Sequence, residues 1–245
     1  MSVTKKANGA EAKIAKSKAK GDIKNVAISL DRVTIKYGAN EVISDATFEI
    51  MSGDFVCVVG ANGAGKSTLV RGILGLTKIC AGESKCDISR VGYMPQEVKI
   101  DLYFPATVME IVLSGNLGRI NGKVFYGEEE KMRALKSLKL LGMADLVAKS
   151  FAELSGGQKQ KVLLARALTA AKDILILDEP SNNLDHKSRT EFYQILKDLN
   201  HEQKMTIIMI THDLDADDLI GNKVVSIKQG RVEMSKTAEF LRSYK

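Results

Sequence analysis

The sequence is short of cysteine and has no long apolar runs. Its 245 residues include 3 Cys, too few for the disulfide framework of a small secreted domain or for a zinc site without further ligands. No apolar run approaches the roughly 18 to 20 residues that span a bilayer. The first twenty residues lack the apolar core and cleavage site of a secretory signal. These absences predict a cytoplasmic protein with no membrane span of its own.

An excess of basic charge is also missing from most of the chain. The formal net charge is +6, but residues 1–24 hold seven lysines against Glu11 and Asp22, a net of +5 that leaves only +1 for residues 25–245. A nucleic-acid-binding face needs clustered basic residues on the folded part. The composition instead predicts a basic, mobile tail at 1–24 and no nucleic-acid partner.

Strand-like and helix-like segments alternate along the rest of the chain, which predicts an α/β fold. Two antiparallel β segments are expected over 25–53. The apolar run at 54–59 is typical of a strand buried on both faces, and a helix is expected from Lys66 to about Leu76. Further β segments are predicted at 90–95, 173–178, 206–211 and 224–232.

The segment between these strands is mostly helical. Helical patterns occupy 107–114 and 128–141, and the second begins with acidic residues and is followed by Gly142, both typical of helix ends. We expect a helical subdomain over about 97–171, inserted into an α/β domain that spans 25–245.

The segment 60–67, GANGAGKS, matches the phosphate-binding loop G-x-x-x-x-G-K-[ST]. Glycines allow the backbone to wrap a phosphate, and the helix that follows favours negative charge at its N-terminus. Lys66 would neutralise the β- and γ-phosphates, and Ser67 would bind Mg²⁺. The candidate nucleotide-binding residues of this loop are Gly60, Asn62, Gly63, Gly65, Lys66, Ser67 and Thr68. Kinases, GTPases and motors share such loops, so the loop alone does not choose among them.

A second anion-binding feature follows at 154–158, LSGGQ, where Ser155 and two glycines precede a helix. One nucleotide needs only one phosphate loop, so the second feature predicts that two chains share each ATP. The alternative is that Ser155 only caps the helix beside a Gly-Gly turn.

With this motif the chain resembles the ABC ATPase family, whose signature is LSGGQ. The resemblance covers about 25–235, and the remaining motifs follow in the family's order: Gln96 in the Q-loop, Asp178 and Glu179 in Walker B, 181–185 as the D-loop, His212 as the switch histidine and Tyr37 as the adenine-stacking aromatic. The resemblance implies a P-loop NTPase (RecA-like) core with an antiparallel β subdomain and an inserted helical signature subdomain.

The roles that this resemblance implies also make chemical sense at the ends of strands, where open α/β sheets bind ligands. Catalytic roles fall to Glu179, which would orient or deprotonate the attacking water, to His212, which would sense the γ-phosphate, and to Gln96. The expected Mg²⁺ ligands are Ser67, Gln96 and Asp178. Tyr37, Ser155, Gly157 and Asp185 complete the expected nucleotide contacts. Plainer alternatives are a salt bridge for Glu179, a surface position for His212 and strand packing for Tyr37.

A narrower similarity is to the ATPase subunits of bacterial importers for zinc, manganese or iron-type metals. It rests on VGYMPQ, FPATVMEIVLSG and the short C-terminus, whereas Asn182 and Asn183 depart from the commoner D-loop pattern of those subunits. The similarity implies ATP and Mg²⁺ as cofactors, a second copy of the chain, polytopic permease subunits, an extracytoplasmic solute-binding protein reached through the permease, and a position on the inner face of the cell membrane.

The membrane partner could dock on an apolar-aromatic group at Tyr103, Phe104 and Pro105, in the manner of a helix in a groove. The same group could instead pack in the core of the helical subdomain. Two other functions remain open from the sequence: a soluble ABC ATPase in cofactor assembly, and a subunit of an importer or exporter for a non-metal substrate.

Overall fold

A computed structural model describes residues 25–96, 105–119, 125–182, 184–212 and 219–243. The strands in these ranges are β1 (Val26–Tyr37), β2 (Asn40–Met51), β3 (Phe55–Gly60), β4 (Ala81–Cys86), β5 (Val91–Met94), β6 (Ile174–Asp178), β7 (Thr206–Ile210), β8 (Lys223–Lys228) and β9 (Arg231–Lys236). The α-helices are α1 (Lys66–Ile73), α2 (Val108–Leu113), α3 (Glu128–Leu140), α4 (Gly156–Ala170), α5 (His186–Gln203) and α6 (Thr237–Ser243). Short 3₁₀ turns join them.

All nine of these strands form one sheet in the order β4-β1-β2-β9-β8-β3-β7-β6-β5. The strands β8, β3, β7, β6 and β5 run parallel, whereas β1 pairs antiparallel with β2 and β4, and β8 with β9. The hairpin β8–β9 turns through Gln229 and Gly230, both with positive φ, as a tight two-residue turn requires. The mixed sheet confirms the predicted α/β core with an antiparallel β part.

The central strands are buried on both faces, as their apolar runs predict. One set of their side chains, including Cys57 and Leu177, joins a core with the helices α2 to α5. The alternate set, including Val58 and Ile176, joins a second core with β1, β2 and α1. Because successive strand side chains point to opposite faces, each strand contributes to both cores and holds the two layers together.

Most of the described residues between β5 and β6 are helical, and α2, α3 and α4 pack on one face of the sheet. Thr107 caps α2 through a reciprocal pair with Glu110, and Ser155 caps α4 in the same way with Gln158. Such capping boxes satisfy backbone N–H groups that would otherwise lack partners at the helix start. None of the helices in the described ranges combines the length and apolarity that a membrane span requires.

The structure departs from the sequence-based expectations at a few elements. Helix α1 ends at Ile73 rather than near Leu76, and the turn that follows contains Gly75 with φ 68°, a left-handed conformation that ends a helix readily. Strand β4 and helix α6 were not predicted. Of the predicted docking group, Tyr103 and Phe104 lie outside the described residues, as do Asn183 of the D-loop and the whole of 1–24.

Candidate nucleotide site

The predicted motifs converge because they follow parallel strands. The phosphate loop follows β3, Asp178 ends β6, His212 lies just after β7, and Gln96 lies just after β5. These four strands are parallel neighbours in the sheet, so their carboxyl ends share one edge. Ligands of open α/β folds bind at that edge.

The phosphate loop takes a shape that requires glycine at two positions. Gly65 has φ 103°, and a Cβ there would lie 2.8 Å from Val42 Cγ1. Gly60 has φ 156°, and a Cβ there would lie 2.7 Å from the carbonyl oxygen of Ile227. L side chains rarely adopt such φ values, so the loop combines left-handed backbone with close approach. No side chain caps the N-terminus of α1, and a helix N-terminus favours a bound anion.

The ammonium group of Lys66 is preorganised within this loop. The residue is only 6% exposed, and its Nζ donates to the carbonyl oxygens of Gly60 at 2.9 Å and Ala61 at 3.3 Å. Its Nζ also lies 4.0 Å from Glu179 Oε1. These partners hold the ammonium group in one place at the floor of the loop.

Two oxygen atoms that could bind a metal ion lie close together beside Lys66. Ser67 Oγ donates to Asp178 Oδ1 at 3.2 Å, and the Asp178 side chain is buried at the end of β6. Burial raises the pKa of Asp178, and the neighbouring charge of Glu179 adds to this, while the hydrogen bond from Ser67 and the cations Arg71 and Lys66 oppose it. A hydroxyl and a carboxylate are hard oxygen ligands of the kind that suits Mg²⁺.

Glu179 directly follows β6 and has a strained backbone conformation. Its φ is 50°, which is unfavourable for a residue other than glycine and often marks a functional site. The turn leads the chain away from β6, and Glu179 Oε2 accepts hydrogen bonds at 2.6 Å from both Gln96 Nε2 and Asn182 Nδ2. His212 Nδ1 lies 3.9 Å from the same oxygen. Together with Lys66, these residues place four side chains around one carboxylate.

These residues line one open cleft of about 490 Å³. Its lining residues are Asn62, Gly63, Gly65, Lys66, Ser67, Thr68, Gln96, Glu179, Asn182 and His212. Gly60 and Asp178 adjoin it through their hydrogen bonds to Lys66 and Ser67. Most of the predicted site residues are therefore close together, although they come from distant parts of the sequence.

Tyr37 borders the loop rather than lining the cleft. It is 49% exposed at the end of β1, and its hydroxyl lies 3.4 Å from Thr77 Oγ1. Hydrogen bonding to Thr77, and then to Thr68, lowers the pKa of the Tyr37 hydroxyl. The residue is half exposed rather than buried, which is compatible with stacking on a flat ligand.

Ser155, Gly157 and Asp185 lie together, but they do not line the cleft. Asp185 caps α5 by accepting from the backbone N–H of Ser188 at 2.9 Å and from its hydroxyl at 2.8 Å. A Cβ on Gly157 would lie 3.1 Å from that hydroxyl, so the signature segment adjoins the start of α5. The N-terminus of α4 therefore forms an exposed surface separate from the phosphate loop of the same chain.

Asn182 is the cleft residue that sequence reasoning did not select. It appears in the D-loop motif, but nothing in the motif indicates that its amide reaches Glu179. The spacing of three residues was the available signal, because a turn after a strand can bring residues i and i+3 together, and Asn182 N in fact donates to the carbonyl oxygen of Glu179 at 3.3 Å.

Comparison with known proteins agrees with this geometry. Residues 43–182 match the family model described as ABC transporter. The chain belongs to the ABC transporter family. As an ABC cassette it binds nucleotide and is an ATPase.

Several named relatives are similar over most of their length. The cassette is 35% identical over 215 residues to the high-affinity zinc uptake system ATP-binding protein ZnuC of Bacillus subtilis, covering 83% of this chain and 91% of that protein. It is 34% identical to the zinc transport system ATP-binding protein TroB of Treponema pallidum, covering 88% and 85%. It is also 34% identical to the manganese transport system ATP-binding protein MntB of Bacillus subtilis, covering 76% and 77%.

Solved structures give the same family. An inward-facing ABC transporter assigned to the metal-chelate type contains a chain with TM-score 0.81 and 30% identity, covering 87% of this chain and 84% of that one. CbiO1 of Clostridium perfringens, part of the transporter complex cbiONQ, has TM-score 0.76 and 27% identity, covering 90% and 92%. The dimeric cassette MJ0796 with ADP and phosphate has TM-score 0.71 and 28% identity, covering 86% and 98%. Cassettes of this family form dimers and belong to transport complexes with membrane components.

Proposed function

We propose that this cassette is the ATP-hydrolysing subunit of an importer for a divalent metal ion such as zinc or manganese. The observation that carries the ATPase part is the cleft in which Lys66, Ser67 and Glu179 meet. The metal substrate is supported by the names of the relatives, which are zinc and manganese uptake proteins. Its proposed partners are a second copy, polytopic permease subunits and, through the permease, an extracytoplasmic solute-binding protein. Its proposed place is the cytoplasmic face of the cell membrane.

The proposed roles are consistent with where the residues lie, in the cleft and beside it. Lys66 neutralises the β- and γ-phosphates, Gly60 to Thr68 cradle them, and Tyr37 stacks on the adenine. Ser67, Gln96 and Asp178 would hold Mg²⁺, which when bound would neutralise charge between the β- and γ-phosphates. Their oxygens suit that ion, and Ser67 Oγ already lies 3.2 Å from Asp178 Oδ1.

In the proposed hydrolysis step, Glu179 accepts a proton from water while the water oxygen attacks the γ-phosphorus. The bond from the γ-phosphorus to the β–γ bridging oxygen breaks, and the products are ADP and phosphate. His212 would contact the γ-phosphate, which is consistent with its place on the rim of the cleft, 47% exposed. Ser155, Gly157 and Asp185 would act on the nucleotide held by the partner copy, because they lie outside the cleft of their own chain.

The domain division is also part of the proposal. Residues 97–171 would form a helical subdomain that moves with the Q-loop, and residues 1–24 would be a basic tail outside the catalytic domain. Gln96 lies at the start of the proposed helical subdomain and contacts Glu179. A change in the cleft would therefore reach the helical subdomain through Gln96.

Metal uptake in cells tests this function. We expect a tagged cassette, extracted in mild detergent, to co-purify with a polytopic membrane protein. Cells that lack the chain should lose uptake of radiolabelled zinc or manganese, and the wild-type gene but not a Lys66→Ala gene should restore it. Soluble partners alone would favour a role in cofactor assembly instead. Normal uptake of both metals with loss of another solute would contradict the metal substrate.

Substitution of Ser155 by arginine tests the shared site. We expect Ser155→Arg to leave ATP binding by the isolated monomer within about twofold, because Ser155 lies outside the monomer's own cleft, and to stop hydrolysis by blocking the second copy. Ser155→Ala is the matched control, since it removes the cap, worth about 1 kcal/mol, without adding bulk. Calorimetric titration with ATP and a phosphate-release assay measure the two quantities. If the Ser155→Arg monomer lost ATP binding while the Ser155→Ala monomer kept it, the shared site would be contradicted.

A further inference from the structure

In the described part of the chain, two side-chain amides donate hydrogen bonds to the same carboxylate oxygen of Glu179. Gln96 Nε2 and Asn182 Nδ2 both donate to Oε2 at 2.6 Å. An ionised carboxylate can only accept hydrogen bonds, so the NH₂ group of each amide must be the one that faces it. The other oxygen, Oε1, receives neither bond and lies 4.0 Å from Lys66 Nζ, toward the phosphate loop.

We propose that Asn182 is a positioning residue that fixes the rotation of the Glu179 carboxylate, so that Oε1 is the oxygen presented to the attacking water. The inference rests on the proposed role of Glu179 as the general base. With both donors on Oε2, the carboxylate cannot rotate about its last bond without breaking two charge-assisted hydrogen bonds, which are the stronger kind. The orientation of Glu179 Oε1 is therefore fixed before the nucleotide binds.

Asn182 is better anchored for this purpose than Gln96. The carbonyl of Glu179 accepts from Asn182 N at 3.3 Å, and Leu184 N donates to Ser181 O at 3.1 Å. The hydroxyl of Ser181 lies 3.0 Å from that of Tyr193, and both residues are buried. Asn182 thus belongs to a turn fixed to α5. Gln96, in contrast, is exposed just after β5.

The charged groups around Glu179 set what a change at Asn182 would do. Lys66 faces it from α1, His212 Nδ1 lies 3.9 Å away after β7, and the buried Asp178 precedes it in β6. These groups are present in every variant below. A difference in kcat between wild type and variant therefore reports the change at position 182.

Two variants test the inference by steady-state kinetics of ATP hydrolysis. Asn182→Ala should lower kcat roughly 10- to 100-fold, the size of effect that a misplaced catalytic group produces, and leave KM for ATP within about twofold. Asn182→Asp keeps the size of the side chain but replaces the donor with an ionised carboxylate, which can only accept hydrogen bonds. Its kcat should fall at least as far as that of Asn182→Ala, again with KM within about twofold.

Gln194→Glu is the matched control. Gln194 Nε2 donates to Asp198 Oδ1 at 2.8 Å on the exposed face of α5, so this variant makes the same amide-to-carboxylate change outside the cleft. Its kinetics should match those of the wild type.

The outcomes distinguish the positioning role of Asn182 from the proposed general-base role of Glu179. Wild-type kinetics in Asn182→Ala or in Asn182→Asp would overturn the positioning role alone. A raised KM with kcat unchanged would also overturn it, because Asn182 would then contact the nucleotide instead. Retained hydrolysis in Glu179→Gln would overturn the proposed role of Glu179, and the inference with it.

Discussion

Replacement of Glu179 by glutamine is expected to slow ATP hydrolysis by roughly 10²- to 10⁴-fold, the contribution usual for a general base. A glutamine side chain has nearly the same shape, and its carbonyl oxygen can still accept the hydrogen bonds that Gln96 and Asn182 donate to Glu179 Oε2. It cannot accept a proton from water at neutral pH. The loss should therefore fall on kcat, while the affinity for ATP stays near that of the wild type.

Single-turnover phosphate release and calorimetric titration measure these two effects separately. Glu49→Gln, which removes an exposed carboxylate on β2, serves as the control and should behave as the wild type. Hydrolysis within tenfold of the wild type in Glu179→Gln would mean that another group activates the water, with His212 the nearest candidate in the cleft.

Substitution of Lys66 by alanine is expected to have the second large effect, on binding itself. The ammonium group is buried and held in place by the carbonyls of Gly60 and Ala61, so little ordering remains to be done when a phosphate arrives. Loss of charge-assisted hydrogen bonds worth about 3 kcal/mol predicts an affinity for ATP roughly 100-fold weaker.

Titration calorimetry with ATP and Mg²⁺ measures this loss, and circular dichroism checks that the variant folds. Lys85→Ala is the control, because Lys85 is exposed on β4 and its Nζ lies 3.1 Å from Glu83 Oε2, outside the cleft. Unchanged ATP affinity in a folded Lys66→Ala protein would contradict the assignment of 60–67 as the phosphate-binding loop.

Much of the cleft could be predicted because its residues follow buried strands. Apolar runs such as 174–178 identify central parallel strands, and chain direction then places their last residues at one edge. That reasoning brought Lys66, Glu179 and His212 to the same cleft without any knowledge of distances. The glycine pattern of 60–67 was informative for a related reason, since its strained turns admit few other residues.

Elements with weaker local signals were missed. Strand β4, AGESKC, is mostly exposed and polar, so its strand character comes from pairing with β1 rather than from its own residues. Helix α6 is short and has no buried residue. The contact between Asn182 and Glu179 depends on side-chain rotation within a turn, which no sequence pattern specifies.

The position of Ser155 outside the cleft of its own chain matters most for the proposed site between two copies. The signature motif predicts a nucleotide shared by two chains, and in one chain Ser155, Gly157 and Asp185 border the start of α5 rather than the cleft. In a pair of chains, the signature segment of one copy could face the phosphate loop of the other. The exposed, capped N-terminus of α4 is suited to meet an anion across such an interface.

The most direct test is the mass of the Glu179→Gln protein measured by light scattering with ATP and Mg²⁺. The account predicts twice the mass of the chain for Glu179→Gln with ATP, the mass of one chain without nucleotide, and again one chain for Glu179→Gln combined with Ser155→Arg. A single-chain mass with ATP at high protein concentration, or a dimer that persists in the combined variant, would contradict a nucleotide site shared by two copies.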